Sequence, residues 1–308
     1  LMCTLFGWRA VFVVPLVGGI VVAAAGVKLV QNVGERSSTT LDILSVVLLA
    51  AGITAFVYSV GEFSTNPIAG IVALSAAIVL LGLFAARQLK LEHPVLNVRP
   101  MASVRFWPAC LLVVVSMMTT FSMSVLLPLY FEGAYGMTAL IAGLLILPAI
   151  ACNAVTSIVG GRVMDARGAW PLLPVGFALI AVGQTAISMT AASMNIGVVV
   201  ALTVVVYAGV GLVLSPSQTA GLETLPAAEH PHGTALLNTW NMIAASFGPS
   251  LFIGLLSSSA ATAGAAGAAT DVAQAIGFAT AVRVAAVIAV VGFATSLVYA
   301  RRESHMSH

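Results

Sequence analysis

The chain has 308 residues and a net charge of +2, and 60% of its residues are hydrophobic whereas only 7% are charged. A soluble domain carries about a quarter of its residues as charged ones, so this composition excludes a single soluble domain. The small net charge, with no concentrated basic face, gives no support to nucleic-acid binding. The composition therefore predicts an all-α polytopic membrane protein that lies in a lipid bilayer.

Sparse charges divide the sequence into nine apolar segments, each close to the ~20 residues that a helix needs to cross a bilayer. A helix satisfies its own backbone hydrogen bonds in lipid, so we predict nine transmembrane helices. In chain order they cover residues 10–27, 43–61, 67–86, 106–131, 137–163, 170–193, 196–215, 235–257 and 276–300. The Ser-, Ala- and Gly-rich stretch 257–274 is predicted to be a flexible outer loop, or one that lies on the membrane surface.

Ten of the twelve lysine and arginine residues fall on one side of the membrane when the nine spans alternate in direction. Cytoplasmic loops carry an excess of these residues, so we predict that this side faces the cytoplasm. Arg9 and Arg283 are left outside or in the outer half. The ten on the cytoplasmic side are Lys28, Arg36, Arg87, Lys90, Arg99, Arg105, Arg162, Arg167, Arg301 and Arg302.

Residues 160–170 form a short charged segment between two long apolar runs, and we predict a tight turn there at the membrane surface. Its pattern Gly161-Arg162-x-x-Asp165-x-Arg167-Gly168 resembles the Gly-x-x-x-Asp-Arg/Lys-x-Gly loop of the major facilitator superfamily, which joins the second and third helices of each half. The resemblance implies a gating loop, in which an Asp beside an Arg docks onto neighbouring helix ends in one conformation. The alternative is an interfacial turn whose arginines extend to the polar surface.

Two further motifs resemble those of the fourteen-span drug:proton antiporters of that superfamily. Trp-Arg-x-x-Phe at residues 8–12, followed by Pro15 and two glycines, resembles the start of their sixth helix. Residues 233–241, which lead to Gly248, resemble the Gly-x-Ala-x-x-x-Asn pattern at the start of their penultimate helix. The chain departs from the family pattern at Pro15, where Asn is usual, and at residues 169–170, which replace a basic pair.

The resemblance implies a major facilitator fold that lacks most of its N-terminal half. Residues 1–30 would be the last helix of that half, and residues 31–86 the extra helix pair of the fourteen-span group. Residues 87–105 would be a cytoplasmic linker, and residues 106–302 the C-terminal six-helix half. On this mapping the chain starts just before the sixth helix, and the missing N-terminal helices would be needed for function.

The resemblance also implies the activity of a transmembrane transporter, namely proton-coupled efflux of amphipathic drugs or toxic small molecules across a bacterial cytoplasmic membrane. Proton-coupling residues would then lie in the missing helices. The sequence contains neither a His-Glu-x-x-His nor a Gly-x-Ser-x-Gly motif, and we predict no enzyme activity and no cofactor. Three alternatives stay open: an importer, a lipid or solute exporter, and a non-transporting scaffold or sensor of the same fold.

Candidate cavity residues begin in the span 106–131, where Ser116, Thr120 and Ser124 share one helical face at i, i+4 and i+8. The first helix of each half lines the central cavity in the resembled fold, so we expect this face to contact substrate by apolar packing and a few hydrogen bonds. The alternative is that the hydroxyls bond back to their own helix or join neighbouring helices. Further candidates are Met117, Phe121, Tyr207, Asn238 and Asn241.

Other polar residues in apolar surroundings are given structural roles. Asn153 is predicted to hold two helices together. Arg283, ~10 Å into its span, is predicted to extend to the outer interface and towards Asp271. His230 and His232 are predicted to lie in a solvated loop, because no third metal ligand accompanies them. The three cysteines are predicted to be packing residues: Cys3, Cys110 and Cys152.

Overall fold

The computed structural model describes residues 10–29, 42–62, 66–91 and 94–304. Every regular element in these ranges is helical, which confirms the predicted all-α fold for the described part of the chain. The nine α-helices are α1 Ala10–Leu29, α2 Ile43–Glu62, α3 Pro67–Lys90, α4 Phe106–Tyr135, α5 Ala139–Arg167, α6 Leu172–Thr190, α7 Ile196–Glu223, α8 His230–Ala265 and α9 Thr270–Ser304. Three short 3-10 helices lie between them, at Arg99–Ala102, Ala191–Ser193 and Ala227–Glu229.

Eight of these helices, α2 to α9, are long and apolar enough to cross a membrane. The 20 residues of α2 give a length of ~30 Å, which matches the hydrocarbon core of a bilayer. Helix α1 also has 20 residues and contains the shorter apolar stretch Pro15–Gly26. The chain divides into two compact units, Leu1–Leu41 with α1 and Asp42–His308 with the other eight helices.

Helix α4 is central to the second unit and lies against α5, α7, α8 and α9. Its residue Tyr130 is fully buried, and the ring stacks on Phe278 of α9 with centroids 4.2 Å apart. The Tyr130 hydroxyl donates a hydrogen bond to the carbonyl of Ala191 at 2.8 Å. One side chain thus joins the end of α4 to α9 and to the α6–α7 connection.

Helix α7 is held between α5 and α6 at very short range. A Cβ atom added at Gly209 would lie 2.5 Å from the carbonyl oxygen of Gly176 in α6. One added at Gly211 would lie 2.7 Å from the carbonyl oxygen of Asn153 in α5. Small residues allow this close approach, which supplies van der Waals contact where lipid gives no hydrophobic drive for helix association.

The prediction of a turn across residues 160–170 is wrong in its extent. Helix α5 continues to Arg167, and the non-helical turn is confined to residues 168–171. Gly160 is buried within α5 and lies close to α7: a Cβ atom added there would be 3.2 Å from the carbonyl oxygen of Gly211. Only Gly168 makes the turn, with a φ of 75° that favours glycine. Charges end the apolar run without ending helical hydrogen bonding.

The prediction of a long flexible loop at residues 257–274 is also wrong. Helix α8 continues to Ala265 and α9 begins at Thr270, so only residues 266–269 lie outside α8 and α9. Alanine is the best helix former, and the hydroxyls of Ser258 and Thr262 donate back to carbonyls of their own helix. The low-complexity composition therefore extends two helices here.

Helices α2 and α3 pack along each other, and α2 reaches α8 where the rings of Phe56 and Phe247 stack with centroids 5.5 Å apart. Near the end of α3, Phe84 belongs to a hydrophobic cluster with Leu96 and with residues of α4 and α8. A groove of 580 Å³ opens on the pair and is apolar except for two hydroxyls. It is lined by Val47, Ala50, Ala51, Thr54, Ala55, Tyr58 and Ala73.

Candidate functional site

The three hydroxyls of the candidate face on α4 all bond to carbonyls of their own helix. Ser116 donates to Leu112 at 2.9 Å, Thr120 donates to Ser116 at 2.8 Å, and Ser124 donates to Phe121 at 2.7 Å. The alternative in which these hydroxyls bond back to their own helix is therefore the one observed. Each hydroxyl oxygen still has acceptor capacity, so the face can receive hydrogen bonds from a donor outside the helix.

The same face passes from the interior to the surface along α4. Ser116 is fully buried, Met117 and Thr120 are half-buried, and Phe121 and Ser124 are exposed. The exposed fraction of Phe121 is 40%, which is high for a large aromatic side chain. The face therefore combines one buried, one half-buried and one exposed hydroxyl group with an exposed aromatic ring.

The two candidate asparagines of α8 lie in different environments. Asn238 is exposed, whereas Asn241 is only 7% exposed and its Oδ1 has no hydrogen-bond partner in the part of the chain that is described. Gly248 lies two turns after Asn241 on the same helical face. A Cβ added at Gly248 would lie 3.0 Å from the Ser122 Oγ and 3.2 Å from the Met118 Cα. Asn241 thus belongs to the face of α8 that is turned towards α4.

Three more buried polar residues share this property and were missed by sequence reasoning. Ser122 of α4, Gln184 of α6 and Ser217 of α7 are fully buried, and their polar side-chain atoms lack partners among the described residues. An unpaired polar group in a protein interior costs about 1–3 kcal/mol. Gln184 could have been singled out, because it is the one carboxamide in the apolar run 170–193. The two serines give no such signal.

The prediction that Asn153 holds two helices together is confirmed. Its side-chain amide in α5 donates a hydrogen bond to the backbone carbonyl of Tyr207 in α7 at 3.0 Å. The candidate cavity residue Tyr207 is itself 6% exposed and belongs to the main hydrophobic core. The α5–α7 contact is therefore fixed by one interhelical hydrogen bond beside the close glycine packing.

The charged residues at the end of α5 have no partners in the described part of the chain. Arg162, Asp165 and Arg167 are all exposed, and none of them makes a side-chain hydrogen bond or an ion pair there. The backbone N–H of Gly168 donates to the carbonyl of Met164 at 2.9 Å and closes the helix. Gly161, the remaining residue of the motif, is half-buried within α5.

The predicted approach of Arg283 to Asp271 is wrong. Both residues belong to α9, where they are more than three turns apart, or ~18 Å along the axis. The carboxylate of Asp271 accepts instead from the backbone N–H of Val272 at 2.8 Å. Arg283 is exposed and lies ~27 Å along the helix from Arg301. This separation is close to the thickness of a hydrocarbon core, so the Arg283 side chain can reach the opposite interface.

The placement of His230 and His232 in a loop is also wrong, because both lie in the first turn of α8. Pro231 between them suits this position, since a proline in the first helical turn loses no hydrogen bond. The Nε2 atom of His230 lies 3.1 Å from the carbonyl oxygen of Leu225. Within the described ranges, no three His, Cys, Asp or Glu side chains are grouped so as to hold a metal ion.

The described residues contain eight membrane-length helices, of which α4 packs against four others, and polar groups are buried between the helices. These features define a multi-pass α-helical membrane protein. The family description Major Facilitator Superfamily matches residues 1–249. The chain belongs to this superfamily, as the motifs at residues 161–168 and 233–248 implied. It is accordingly a member of a family of membrane transporters and not of a family of enzymes.

Curated relatives carry the names of resistance proteins and transporters. The lincomycin resistance protein LmrB of Listeria monocytogenes is 30% identical over 253 residues, which cover 81% of this chain and 54% of that protein. The uncharacterized MFS-type transporter YcnB of Bacillus subtilis is 31% identical over 296 residues, or 94% of this chain and 62% of that protein. A multidrug resistance protein B homolog of Mycobacterium tuberculosis is 26% identical over 261 residues, or 82% of this chain and 48% of that protein. The chain thus spans about half the length of the curated relatives it matches.

Proposed function

We propose that the chain contributes to a proton-coupled efflux transporter for amphipathic drugs or other toxic small molecules in the cytoplasmic membrane of a bacterium. Membership of the superfamily supports transport, and the names of its bacterial relatives, which refer to lincomycin and multidrug resistance, support efflux. We assign residues 1–30 to the last helix of a first half and residues 31–86 to an extra helix pair. Residues 87–105 would form a cytoplasmic linker, and residues 106–302 a second half. The charge distribution supports a cytoplasmic position for Asp165 and the linker.

The observation that carries the proposal is the unpaired Oδ1 of Asn241. This acceptor is buried on the face of α8 that is turned to α4, where it lowers the stability of the folded chain by about 1–3 kcal/mol. A polar group inside a membrane protein that has no structural partner is by default a candidate for ligand contact. A substrate with an N–H or O–H donor would satisfy it.

The other candidate residues supply the rest of such a site. Met117 and Phe121 of α4 offer a polarisable thioether and a half-open ring for apolar packing. The hydroxyls of Ser116, Thr120 and Ser124 offer further acceptors, while Tyr207 and Asn238 are proposed at its margins. An apolar surface with a few fixed polar groups suits amphipathic compounds of varied shape.

The charged loop is proposed to act on conformation and not on the substrate. Arg162, Asp165 and Arg167 are exposed and unpaired within the described residues, so they are free to dock on the ends of neighbouring helices in one state of the transporter. Such a contact shifts the equilibrium between conformations only if it is made in one state and not in the other. In that state, Gly161 would permit the close approach of a neighbouring helix, and Gly168 would permit the turn.

Substitution of Asn241 by leucine tests the proposal, with Asn153→Leu as the matched control. The protein would be produced from its complete coding region in a drug-sensitive bacterium, and efflux of a fluorescent amphipathic dye would be followed with and without a protonophore. Asn241→Leu is expected to raise the substrate KM about three- to tenfold, the worth of one buried hydrogen bond. Asn153→Leu removes a helix contact and is expected to lower the amount of folded protein without changing KM.

Each result of this experiment has a definite meaning. Dye efflux that the protonophore abolishes, together with a raised KM for Asn241→Leu alone, supports the proposal. Net uptake would identify an importer, and efflux of lipid but not dye would identify a lipid exporter. No movement of any tested solute by a correctly inserted protein would favour a scaffold or a sensor. An unchanged KM for Asn241→Leu would remove this residue from the site.

A further inference from the structure

A continuous chain of hydrogen bonds links the start of α2, the end of α3 and the segment that follows α3. The backbone N–H of Leu96 donates to Oε1 of Gln88 at 3.1 Å, and Nε2 of Gln88 donates to the hydroxyl of Ser45 at 2.6 Å. The Ser45 hydroxyl donates in turn to Oδ2 of Asp42 at 2.7 Å. Arg87 completes the chain with a two-point contact to Asp42, at 2.8 Å from Nε and 3.2 Å from an Nη nitrogen.

All donors along this chain point the same way, towards the carboxylate of Asp42. Hydrogen bonds aligned in this manner polarise one another and strengthen the set. The middle of the chain is shielded, since Ser45 is fully buried and Gln88 is 2% exposed. A carboxamide is required at position 88, because it must accept from a backbone N–H and donate to a hydroxyl through one planar group.

The segment that Gln88 holds is itself attached to helices α4 and α8. Leu96 lies in the same hydrophobic cluster as Phe84 of α3, and the cluster continues into α4 and α8. The indole N–H of Trp240 in α8 donates to the thioether sulfur of Met101 at 3.4 Å. Residues 94–105 therefore connect α3 to α4. They bond to α3 through Gln88, pack in the hydrophobic cluster with α4 and α8, and contact α8 through Met101.

We propose that Gln88 is the positioning residue of a rigid joint, through which α2 and α3 move together with α4–α9 as one body. A connection held at Leu96 and Met101 transmits displacement of the α2–α3 pair to α4 instead of absorbing it by bending. The stacking of Phe56 on Phe247 makes a second attachment of α2 to α8. Movement of α2–α9 as one body requires neither a particular substrate nor a particular direction of transport.

Distance measurements on spin-labelled protein test the joint. The 308-residue chain would be reconstituted in lipid nanodiscs, in a background with alanine at the three cysteine positions. One label pair would report on the joint, at the exposed positions Lys90 and Thr234, and a second would report on the far end, at Ile68 and Ser257. Both distance distributions are expected to be narrow in the chain that is otherwise unchanged.

Gln88→Met keeps the volume but removes both hydrogen bonds of the side chain. It is expected to broaden the Lys90–Thr234 distribution, to leave the far pair narrow, and to speed hydrogen exchange at the Leu96 amide about three- to tenfold. Ser45→Ala cuts the same chain from α2 and should give a similar but smaller change if Gln88→Met does not fold. The control is Ser75→Ala on α3, whose hydroxyl donates to the carbonyl of Ile71 in the same helix.

Two results would overturn the inference. One is a broad Lys90–Thr234 distribution in the unsubstituted chain, which would mean that the α2–α3 pair moves independently of α8. The other is a narrow distribution and unchanged exchange at Leu96 in both Gln88→Met and Ser45→Ala, which would mean that apolar packing alone holds the joint. Neither result depends on any transport measurement.

Discussion

Gln88 and Gln184 are both buried glutamines in apolar helices, yet the two regions around them treat polar groups in opposite ways. At the end of α3, Gln88 has a partner for its amide oxygen and for its amide nitrogen. Inside α6, Gln184 has a partner for neither atom within the described residues. A fully satisfied network fixes one arrangement of helices, whereas an unsatisfied group lowers the stability of the arrangement that buries it.

The difference separates a region whose helices are held together by paired polar groups from a region whose buried polar groups can still accept a partner. At the α2–α3 joint the side chains of Gln88, Ser45, Asp42 and Arg87 all bond to partners within the described residues. Helices α4, α6, α7 and α8 instead contain buried polar atoms that have no partner within the described residues, at Ser122, Gln184, Ser217 and Asn241. Substitutions should therefore change stability with opposite signs in the two regions.

The largest effect on stability is expected from the same substitution at the two glutamines. Gln184→Met removes two unpaired amide atoms and should raise the free energy of unfolding by about 2 kcal/mol. Gln88→Met leaves the Leu96 N–H without its acceptor and the Ser45 hydroxyl without the donor Gln88, and it should lower the free energy of unfolding by about 2 kcal/mol. Chemical unfolding in detergent, followed by tryptophan fluorescence, measures both.

Because methionine has nearly the volume of glutamine, each variant serves as the control for the other. A loss of stability in both would show that burial of a carboxamide is favourable at Gln184 as well. The distinction between the two regions would then be wrong.

A smaller contrast of the same kind is expected between two asparagines. Asn153→Leu breaks the hydrogen bond to the Tyr207 carbonyl and should destabilise the fold by about 1 kcal/mol. Asn241→Leu removes an unpaired acceptor and should stabilise it by about 1 kcal/mol. Unfolding curves recorded under the same detergent conditions compare the two. Equal destabilisation would mean that Asn241 has a structural role.

The pH dependence of the joint gives the next prediction. The hydrogen bond from Arg87, followed by that from Ser45, lowers the pKa of Asp42 from its ordinary 3.8 to about 2. A carboxyl group whose pKa is depressed by folding stabilises the fold fully above its unfolded pKa, and this stabilisation is lost as the pH falls towards the folded pKa. Thermal stability should therefore be flat above pH ~4 and should fall between pH ~4 and ~2.

The variant Asp42→Asn isolates this contribution, since it cannot titrate. Its melting temperature, compared with that of the unsubstituted chain, should show a shallower decline across the same pH window. Parallel curves for the two proteins would mean that Asp42 is not coupled to Arg87 in the folded chain. Salt bridges at this degree of exposure, 18% for the Asp42 side chain and 39% for Arg87, are partly screened, so the difference should shrink at high ionic strength.

The sequence predicted the number of helices well, because each span is an apolar run of bilayer length between charges. It failed at helix ends, where α5 continues beyond residue 163 to Arg167 and where α8 and α9 extend into residues 257–274 from both sides. Hydropathy measures what lipid accepts, whereas a helix ends where its backbone hydrogen bonds end. The turn at Gly168 is set by one left-handed residue, which no hydropathy pattern indicates.

The candidate site was predicted only in part, for a related reason. Periodicity correctly placed Ser116, Thr120 and Ser124 on one helix, but not the burial that separates Asn241 from Asn238. The joint at Gln88 was missed altogether, since Ser45, the partner of Gln88, and Asp42, the partner of Arg87, are remote from them in sequence and meet them only when α2 packs on α3. Pairing between distant polar residues depends on tertiary packing, to which a single sequence gives little access.

The smallest effect on stability is expected at the charged loop, although its effect on transport should be large. Asp165 is exposed and has no partner within the described residues, so Asp165→Asn should change the free energy of unfolding by less than about 0.5 kcal/mol. If the carboxylate docks on a helix end in one transport state only, its loss shifts the conformational equilibrium without touching the substrate. Dye efflux from cells that express the complete coding region should then fall, while dye binding to purified protein stays the same.

Asn195 provides a matched comparison for this variant, because it is exposed and caps α7 by accepting from the Val198 N–H at 3.3 Å. Asn195→Ala should lower stability by about 1 kcal/mol, as loss of a helix cap does, and should leave turnover per folded molecule unchanged. The two exposed sites would thus separate a residue that acts on stability from one that acts on conformational exchange. Asp165→Asn could instead weaken dye binding in parallel with efflux and leave turnover per bound dye unchanged. The loop would then not act as a gate, because a shift between conformations alone must change turnover per bound dye.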